Sequence, residues 1–543
     1  MSSLADAFSL LDQHIEQHRL ATKTPSIAIA ITDKENELFQ AAYGYADLAG
    51  KHPLTTEHLF EIGSVGKSFT AIALLQLYEE GKLDLQAPIT AYLPWFAVNS
   101  KYEPIRIHHL LTHSAGLTVG ADVSGDMRYA AWVLRETTTG FAPGTQFHYS
   151  NAGYKALGIL LQELTGKSYA ETIKERILDP LGMSNTDPVI THETRKRLAQ
   201  AGAHWYDDRP HHHSHEIVPA TWLETATADG CIASTVGDMA IYLRMLLNGG
   251  VGNGKRLLQP KSYALLTDRM IEMDKDKVYY GYGLWTQIED EHTYFGHTGG
   301  MVGYTTIMEA DAQAGLGFIV LMTEPGTRGM IPYLWPLLRA GLSEEVLPSL
   351  PSLPNAFKIK QAKDYVGRYW HGEKMLTVTA ENEQLYLQVD DELTLLESRW
   401  SDHFFAHHPD FDRFLIQFGR AKLADHEDKK AVVEILHGAD WYVKEGGDRQ
   451  EEFEIPKSWS NYVGHYRSHN PWYSNFRVVI QKDQLRLFWP GGDSKLLVPL
   501  ANGQFRIGED EHSPEHIQFD TVVNDEAWRA TWSGNAFYRF FTP

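Results

Sequence analysis

Cysteine is nearly absent from this 543-residue chain, with Cys231 the single example. An intramolecular disulfide and a thiolate metal cluster are therefore excluded. Within Gly230-Cys231-Ile232-Ala233, the cysteine itself reads as a small buried residue rather than a nucleophile. Long apolar runs are missing too. The longest, Ser26 to Ile31 and Leu316 to Met322, have the length of strands and fall short of a membrane span. Positive charge is scarce: 49 Lys and Arg face 70 Asp and Glu, a formal net charge of −21. That balance argues against nucleic acid or an anionic membrane as partner, because phosphates are gripped by clustered cations. The first twenty residues lack the basic leader and unbroken apolar core of a secretory signal. Leu4, Phe8, Leu11 and Ile15 recur there at helical spacing, so an amphipathic first helix and a cytoplasmic location are expected.

The length exceeds what one hydrophobic core supports, which points to several domains. Residues 1–345 mix helical and strand patterns. Pro25 to Asp33 and Leu38 to Gly44 read as a strand pair, Ser64 to Glu80 and Ala152 to Leu164 as helices. A late strand set lies around Tyr294 to Glu309 and Gly317 to Met322. This order suits an α/β or α+β domain with one sheet flanked by helices. Residues 346–356 carry Pro348, Pro351 and Pro354 and read as a linker. Beyond it the pattern repeats. Tyr365-Val366-Gly367-Arg368-Tyr369 is echoed by Tyr462-Val463-Gly464-His465-Tyr466, and Gln384-Leu385-Tyr386-Leu387 by Gln484-Leu485-Arg486-Leu487. Phe405 pairs with Phe505, Ile416 with Ile517 and Phe418 with Phe519, at offsets of 97 to 101 residues. Residues 357–453 and 454–543 are thus two copies of one unit, each suited to a small antiparallel β-barrel of about eight strands.

Three short patterns in the first domain carry chemistry. In Phe60-Glu61-Ile62-Gly63-Ser64-Val65-Gly66-Lys67, a serine opens a helix and a lysine follows one turn later on the same face. A serine hydroxyl needs a base to take its proton, and a desolvated lysine can be one. A phosphate-binding loop is the rival, from Gly66-Lys67-Ser68, but it requires glycine where Glu61 stands. Tyr149-Ser150-Asn151 follows the turn Ala142-Pro143-Gly144 and precedes a helix. It offers either a phenol and an amide for the reaction or simply a helix cap. The same triplet at Tyr473-Ser474-Asn475 has no helix after it and is read as chance. His297-Thr298-Gly299-Gly300 reads as a strand whose glycines let a substrate backbone lie alongside, with the Gly300 amide as a candidate oxyanion donor.

S-x-x-K, Y-x-N and H-T-G in this order resemble the signature of serine β-lactamases and penicillin-binding proteins. The resemblance is strongest to class C enzymes and their esterase and D-amino-acid peptidase kin. Ile107 to Leu117, Pro180-Leu181-Gly182-Met183 and Gly230 to Leu247 resemble the same family. The resemblance implies a β-lactamase-like domain with an antiparallel sheet flanked by helices. It implies Ser64 as acyl-forming nucleophile, Lys67 and Tyr149 as proton handlers, and Asn151, His297, Thr298, Gly299 and Gly300 as substrate-binding residues. The three-part layout is similar to D-aminopeptidases of this family, whose two lipocalin-like barrels send a loop towards the active site. One departure matters: β-lactamases and carboxypeptidases usually carry Lys where His297 stands. A mostly neutral imidazole holds a substrate carboxylate less well, which argues against β-lactam or terminal-carboxylate substrates. The likeness to D-aminopeptidases implies an amidase or peptidase with D-residue preference, modestly ahead of an esterase.

No cofactor and no metal are expected. His211, His212, His213 and His215 could form a metal site, but the run lacks the spacing of a structural one and adventitious binding is the stronger reading. His108, His109 and His113 read as structural hydrogen-bonding groups. Tyr369, Trp370, Trp472 and Trp489, with His407 and His408, offer a ligand pocket or barrel packing, and packing is the stronger reading because aromatic side chains dominate such cores. The expected partner is a small molecule or peptide, with self-association left open. A reading from another class remains, a binding protein on a retired hydrolase scaffold. Intact Ser64, Lys67, Tyr149 and Asn151 argue against it.

Overall fold

The computed structural model describes residues 3–120, 126–274, 277–324, 328–353, 355–423, 426–447 and 453–541. The chain opens with α1 (Leu4–Thr22), which starts at a Ser3–Asp6 capping box and buries Ala7, Leu11, His14 and Ile15. The hairpin β1 (Ser26–Asp33) and β2 (Glu37–Gly44) follows, then α2 (Gly66–Glu79), α3 (Asn151–Thr165) and α4 (Val236–Leu247). Three long strands close the domain: β3 (His292–Met301), β4 (Tyr304–Asp311) and β5 (Leu316–Thr323), before α5 (Ile331–Leu342). The strand set expected around Tyr294 to Glu309 is a hairpin, turning at Val302-Gly303, where Gly303 has φ +82°.

One antiparallel sheet of eight strands organises this domain, with β3, β4, β5, β1 and β2 consecutive in it. Along β1 the residues divide between two cores. Ile27, Ile29 and Ile31 pack towards α1 and α5, whereas Ala28 and Ala30 join the larger core that includes α2, α3 and α4. Successive strand residues point to opposite faces, and helices cover both, so a half-buried alternation never appears. Short side chains on the α4 side let that helix lie close, which explains the run Ser26 to Ile31 without any membrane.

The proline-rich stretch forms no regular element in its described residues, and Pro354 lies outside them. It is held down: Leu347 and Leu350 pack on the α1–α5 core, and Tyr333 donates to the Pro348 carbonyl at 2.8 Å. After it come two closed antiparallel barrels of eight strands each. The first runs from Gly367–His371 to Asp440–Lys444, the second from Gly464–Arg467 to Asn535–Phe540. The repeated Tyr-x-x-x-Tyr does the same job twice. Tyr369 donates to the Tyr365 carbonyl at 2.6 Å, and Tyr466 to the Tyr462 carbonyl at 2.9 Å. One expected pair is out of register. Phe505 is opposite Ile517, and the residue opposite Ile416 is Phe404, not Phe405. A slip of one residue reverses the face. Phe404 fills the barrel, while Phe405 stacks on His212 of the first domain at 5.0 Å. Among the described residues, no helix is long and apolar enough to cross a membrane.

Candidate active site

Ser64 sits on a single 3-10 turn, Gly63–Val65, that runs directly into α2. The turn is wedged between two glycine-lined backbones. A Cβ on Gly299 would lie 1.9 Å from the Ile62 carbonyl oxygen, and one on Gly230 would lie 2.8 Å from the Gly63 carbonyl carbon. Gly299 is therefore required by the fold itself rather than by a substrate lying alongside. Gly300 is different: nothing lies within 4 Å of where its Cβ would be, and it lines the cavity beside Ser64.

Lys67 lies one turn on, on the inner face of α2, and is fully buried. Its Nζ reaches Ser64 Oγ at 3.0 Å and donates to the Asp229 carbonyl at 2.6 Å. Burial lowers its pKa to about 8, with the Asp229 charge working against that shift. Tyr149 lies on the other side of the serine. Burial pushes its phenol well above the ordinary tyrosine value, and the neighbouring Ser64 hydroxyl opposes this. The Lys67 Nζ is 4.9 Å from the centre of the Tyr149 ring. Lysine, serine and tyrosine thus meet, as the sequence implied.

Ser150 resolves the ambiguity of its triplet. Its side chain caps α3, accepting from Gly153 N at 3.1 Å and donating to the Thr118 carbonyl at 2.7 Å. Asn151 is thereby left free for the cavity, and its Oδ1 is buried with no hydrogen-bond partner among the described residues.

His297 lies 6.3 Å from Tyr149, ring centre to ring centre. Its Nδ1 donates to the Thr298 carbonyl at 2.6 Å, because a carbonyl can only accept. Nε2 then accepts from the Tyr280 hydroxyl at 2.9 Å. Burial, and then the Lys67 charge, lower its pKa to about 3, so the imidazole is neutral. Thr298 contributes the carbonyl that fixes this tautomer.

Several further groups reach the site that the sequence did not assign to it. His113, read as a structural hydrogen-bonding group, accepts from the Ser150 amide at 3.0 Å and packs tilted against Tyr149 with ring centres 4.2 Å apart. Buried Lys155, one turn beyond Asn151, lies 3.8 Å from the Asp229 carboxylate, whose Oδ1 has no hydrogen-bond partner among the described residues. The second barrel supplies His469, Pro471 and Trp472 to the cavity wall. Trp472 is therefore not barrel packing, whereas Tyr473 beside it is, lying 4.9 Å from Trp532. The barrel also reaches the site through Glu515. This buried carboxylate accepts from Val119 N at 2.6 Å, Trp532 Nε1 at 2.7 Å and Ser533 Oγ at 2.8 Å, and meets His148 Nε2 at 3.1 Å. Val119 accepts in turn from Asn151 N at 2.8 Å, and His148 adjoins Tyr149, so Glu515 anchors the catalytic loop from both sides.

Residues 11–342 match the family model described as Beta-lactamase. The chain belongs to that family. Penicillin-binding protein 4* of Bacillus subtilis (strain 168) is 29% identical over 394 residues, covering 66% of this chain and 82% of its own. The octameric penicillin-binding protein homologue from Pyrococcus abyssi shares the fold over 80% of this chain and 100% of its own, at TM-score 0.57 and 24% identity. The D-amino acid amidase from Ochrobactrum anthropi SV3, complexed with D-phenylalanine, aligns at TM-score 0.52 and 25% identity, over 62% of this chain and 99% of its own. The Beta-lactamase match ends before either barrel begins.

Proposed function

We propose that this protein is a serine hydrolase that opens amide bonds through an acyl-enzyme on Ser64, with preference for D-amino-acid amides or short peptides. The observation that carries the reading is the fully buried Lys67 amine, 3.0 Å from Ser64 Oγ and with its pKa lowered to about 8. Ser64 Oγ attacks the carbonyl carbon as its proton passes to Lys67, directly or across Tyr149. The carbonyl oxygen gains the negative charge between the amides of Ser64 and Gly300. Collapse breaks the C–N bond, and the leaving amine takes the proton from the same lysine–tyrosine pair. Water repeats the sequence, releasing the acid and restoring the serine.

Two features favour an amide over an ester. Asn151 Oδ1 and Asp229 Oδ1 are buried acceptors beside the nucleophile that find no donor among the described residues. Buried acceptors left unpaired cost about 1–3 kcal/mol each, which a substrate N–H or ammonium can relieve and an ester oxygen cannot. His297, neutral and held by Tyr280, offers no cation to a β-lactam carboxylate. The D-preference rests on the likeness to the D-amino acid amidase.

A fluorophosphonate probe together with p-nitroanilides of D- and L-alanine, p-nitrophenyl acetate and nitrocefin tests the reading. Wild type should label and cleave the D-anilide fastest, and Ser64→Ala should do neither. Absence of labelling from pH 6 to 10 would favour the binding-protein reading instead. Faster turnover of the acetate than of either anilide would favour an esterase.

A further inference from the structure

The histidine run lies far from Ser64 in function but not idle in the fold. It belongs to the loop between the short strands Gly202–His204 and Ile217–Pro219, which lies against the first barrel. Arg209 Nη1 donates to Asp412 Oδ2 of that barrel at 2.7 Å, and Arg399 donates to the His211 carbonyl.

Within this junction two neighbouring imidazoles converge on one oxygen atom. His212 Nε2 lies 3.2 Å and His213 Nδ1 3.4 Å from Glu397 Oε2, on the barrel strand Glu392–Trp400. All three atoms lie within 4.8 Å of one another. A tetrahedral zinc ion with nitrogen and oxygen bonds of about 2.0–2.1 Å spaces its ligand atoms about 3.3 Å apart. Both measured edges have that length, and the third, between the imidazoles, is no longer than 4.8 Å.

The surroundings orient two of the three side chains. His212 Nδ1 accepts from the Ser214 amide at 3.2 Å, so Nε2 carries the ring proton and donates it to the carboxylate; an ion taking Nε2 displaces that proton to Nδ1, where Ser214 Oγ, at 2.6 Å, can accept it. Glu397 Oε1 is held by Arg399 Nη1 at 3.2 Å, leaving Oε2 for the histidines. Arg399 already supplies the counter-charge to this carboxylate, so neither imidazole is needed to neutralise it. Glu397 and His212 are buried, whereas the His213 side chain is half exposed, which leaves an open side for a water ligand and for entry.

We propose that His212, His213 and Glu397 form a binding site for a zinc-like divalent cation that ties the hydrolase domain to the first barrel. Two imidazoles and one carboxylate suit zinc and its late first-row neighbours, and are a poor set for magnesium or calcium. Contiguous histidines could not reveal it in the sequence, because the third ligand is 184 residues further on in the chain.

The test uses the full chain without an affinity tag, stripped with a chelator and dialysed. Zinc sulfate is titrated by calorimetry and by thermal unfolding, with magnesium as control. One zinc per chain should bind and raise the unfolding midpoint, and magnesium should do neither. Glu397→Gln and His213→Gln should each weaken zinc binding about tenfold or more. His213→Gln, at a half-exposed position, covers the event that Glu397→Gln fails to fold. His407→Ala, which removes a ring stacked on His212 but no ligand, should retain the affinity. The proposal is overturned if wild type binds no stoichiometric zinc at about 100 μM, or if His213→Gln binds it as tightly as wild type.

Discussion

Lys67→Met should make the protein more stable at neutral pH while abolishing its chemistry. The lysine is fully buried and its pKa falls from 10.5 to about 8, which corresponds to about 3 kcal/mol of differential interaction between its two protonation states. Below pH 8 the ammonium is present in both folded and unfolded chains, and the folded state bears the whole cost. Between about pH 8 and 10.5 the unfolded chain binds more protons, so stability rises with pH across that window, and above it the cost is gone. Methionine keeps the length and removes the charge. It forfeits the hydrogen bonds to Ser64 and the Asp229 carbonyl, worth about 1 kcal/mol each, so the net gain at pH 7 is about 1–2 kcal/mol. The same shift is what makes the amine useful: at pH 7 about one lysine in ten is neutral, against about three in ten thousand at the ordinary value. Urea unfolding of both proteins at pH 7 and pH 10.5, beside the pH dependence of Ser64 acylation, reads both effects. A variant less stable than wild type at both pH values by the same amount would refute the argument. So would a wild-type acylation rate without an inflection between pH 7 and 9.

Other perturbations probe the rest of the account. Glu515→Gln should lower kcat about tenfold with little change in KM, since it loosens His148 and Val119 behind Tyr149 and Asn151; an unchanged kcat would show that the barrel anchor is dispensable. Trp472→Ala should change KM and the ranking of anilide substrates while fluorophosphonate labelling persists, and an identical substrate profile would exclude the barrel loop from recognition. Burial raises the Glu61 pKa from 4.5 to about 8, so the folded state holds this proton and loses stability as pH rises through that window. Glu61→Gln should therefore gain about 2–4 kcal/mol at pH 8.5 and little at pH 4 by urea unfolding, and an equal effect at both would contradict it.

What the sequence disclosed and what it hid differ by the distance of the contacts. Ser64 and Lys67 were legible because three residues on a helix is a fixed geometry. The barrels were legible because a duplicated strand pattern survives as Tyr-x-x-x-Tyr and paired Leu-x-Leu. Asp229, Tyr280, Trp472 and Glu515 were not, because each reaches the site from another part of the chain and none stands in a periodic pattern of its own. Glycines misled in one place. Gly299 resembles a substrate rail in the sequence, yet its missing Cβ makes room for the Ile62 carbonyl, and of this pair it is Gly300 that lines the cavity. Phe405 aligns with Phe505 in the repeat, yet Phe404 is the residue that matches it in the barrel, and this single-residue register turns the Phe405 ring to His212.

The most direct measurement is intact-protein and peptide mass spectrometry after exposure to a fluorophosphonate and, separately, to a D-amino-acid ester or anilide under rapid acid quench. A single added mass located on Ser64, absent from Ser64→Ala and slowed by orders of magnitude in Lys67→Met, is the predicted result. An adduct on another side chain, or none on Ser64 at any pH from 6 to 10, would contradict it.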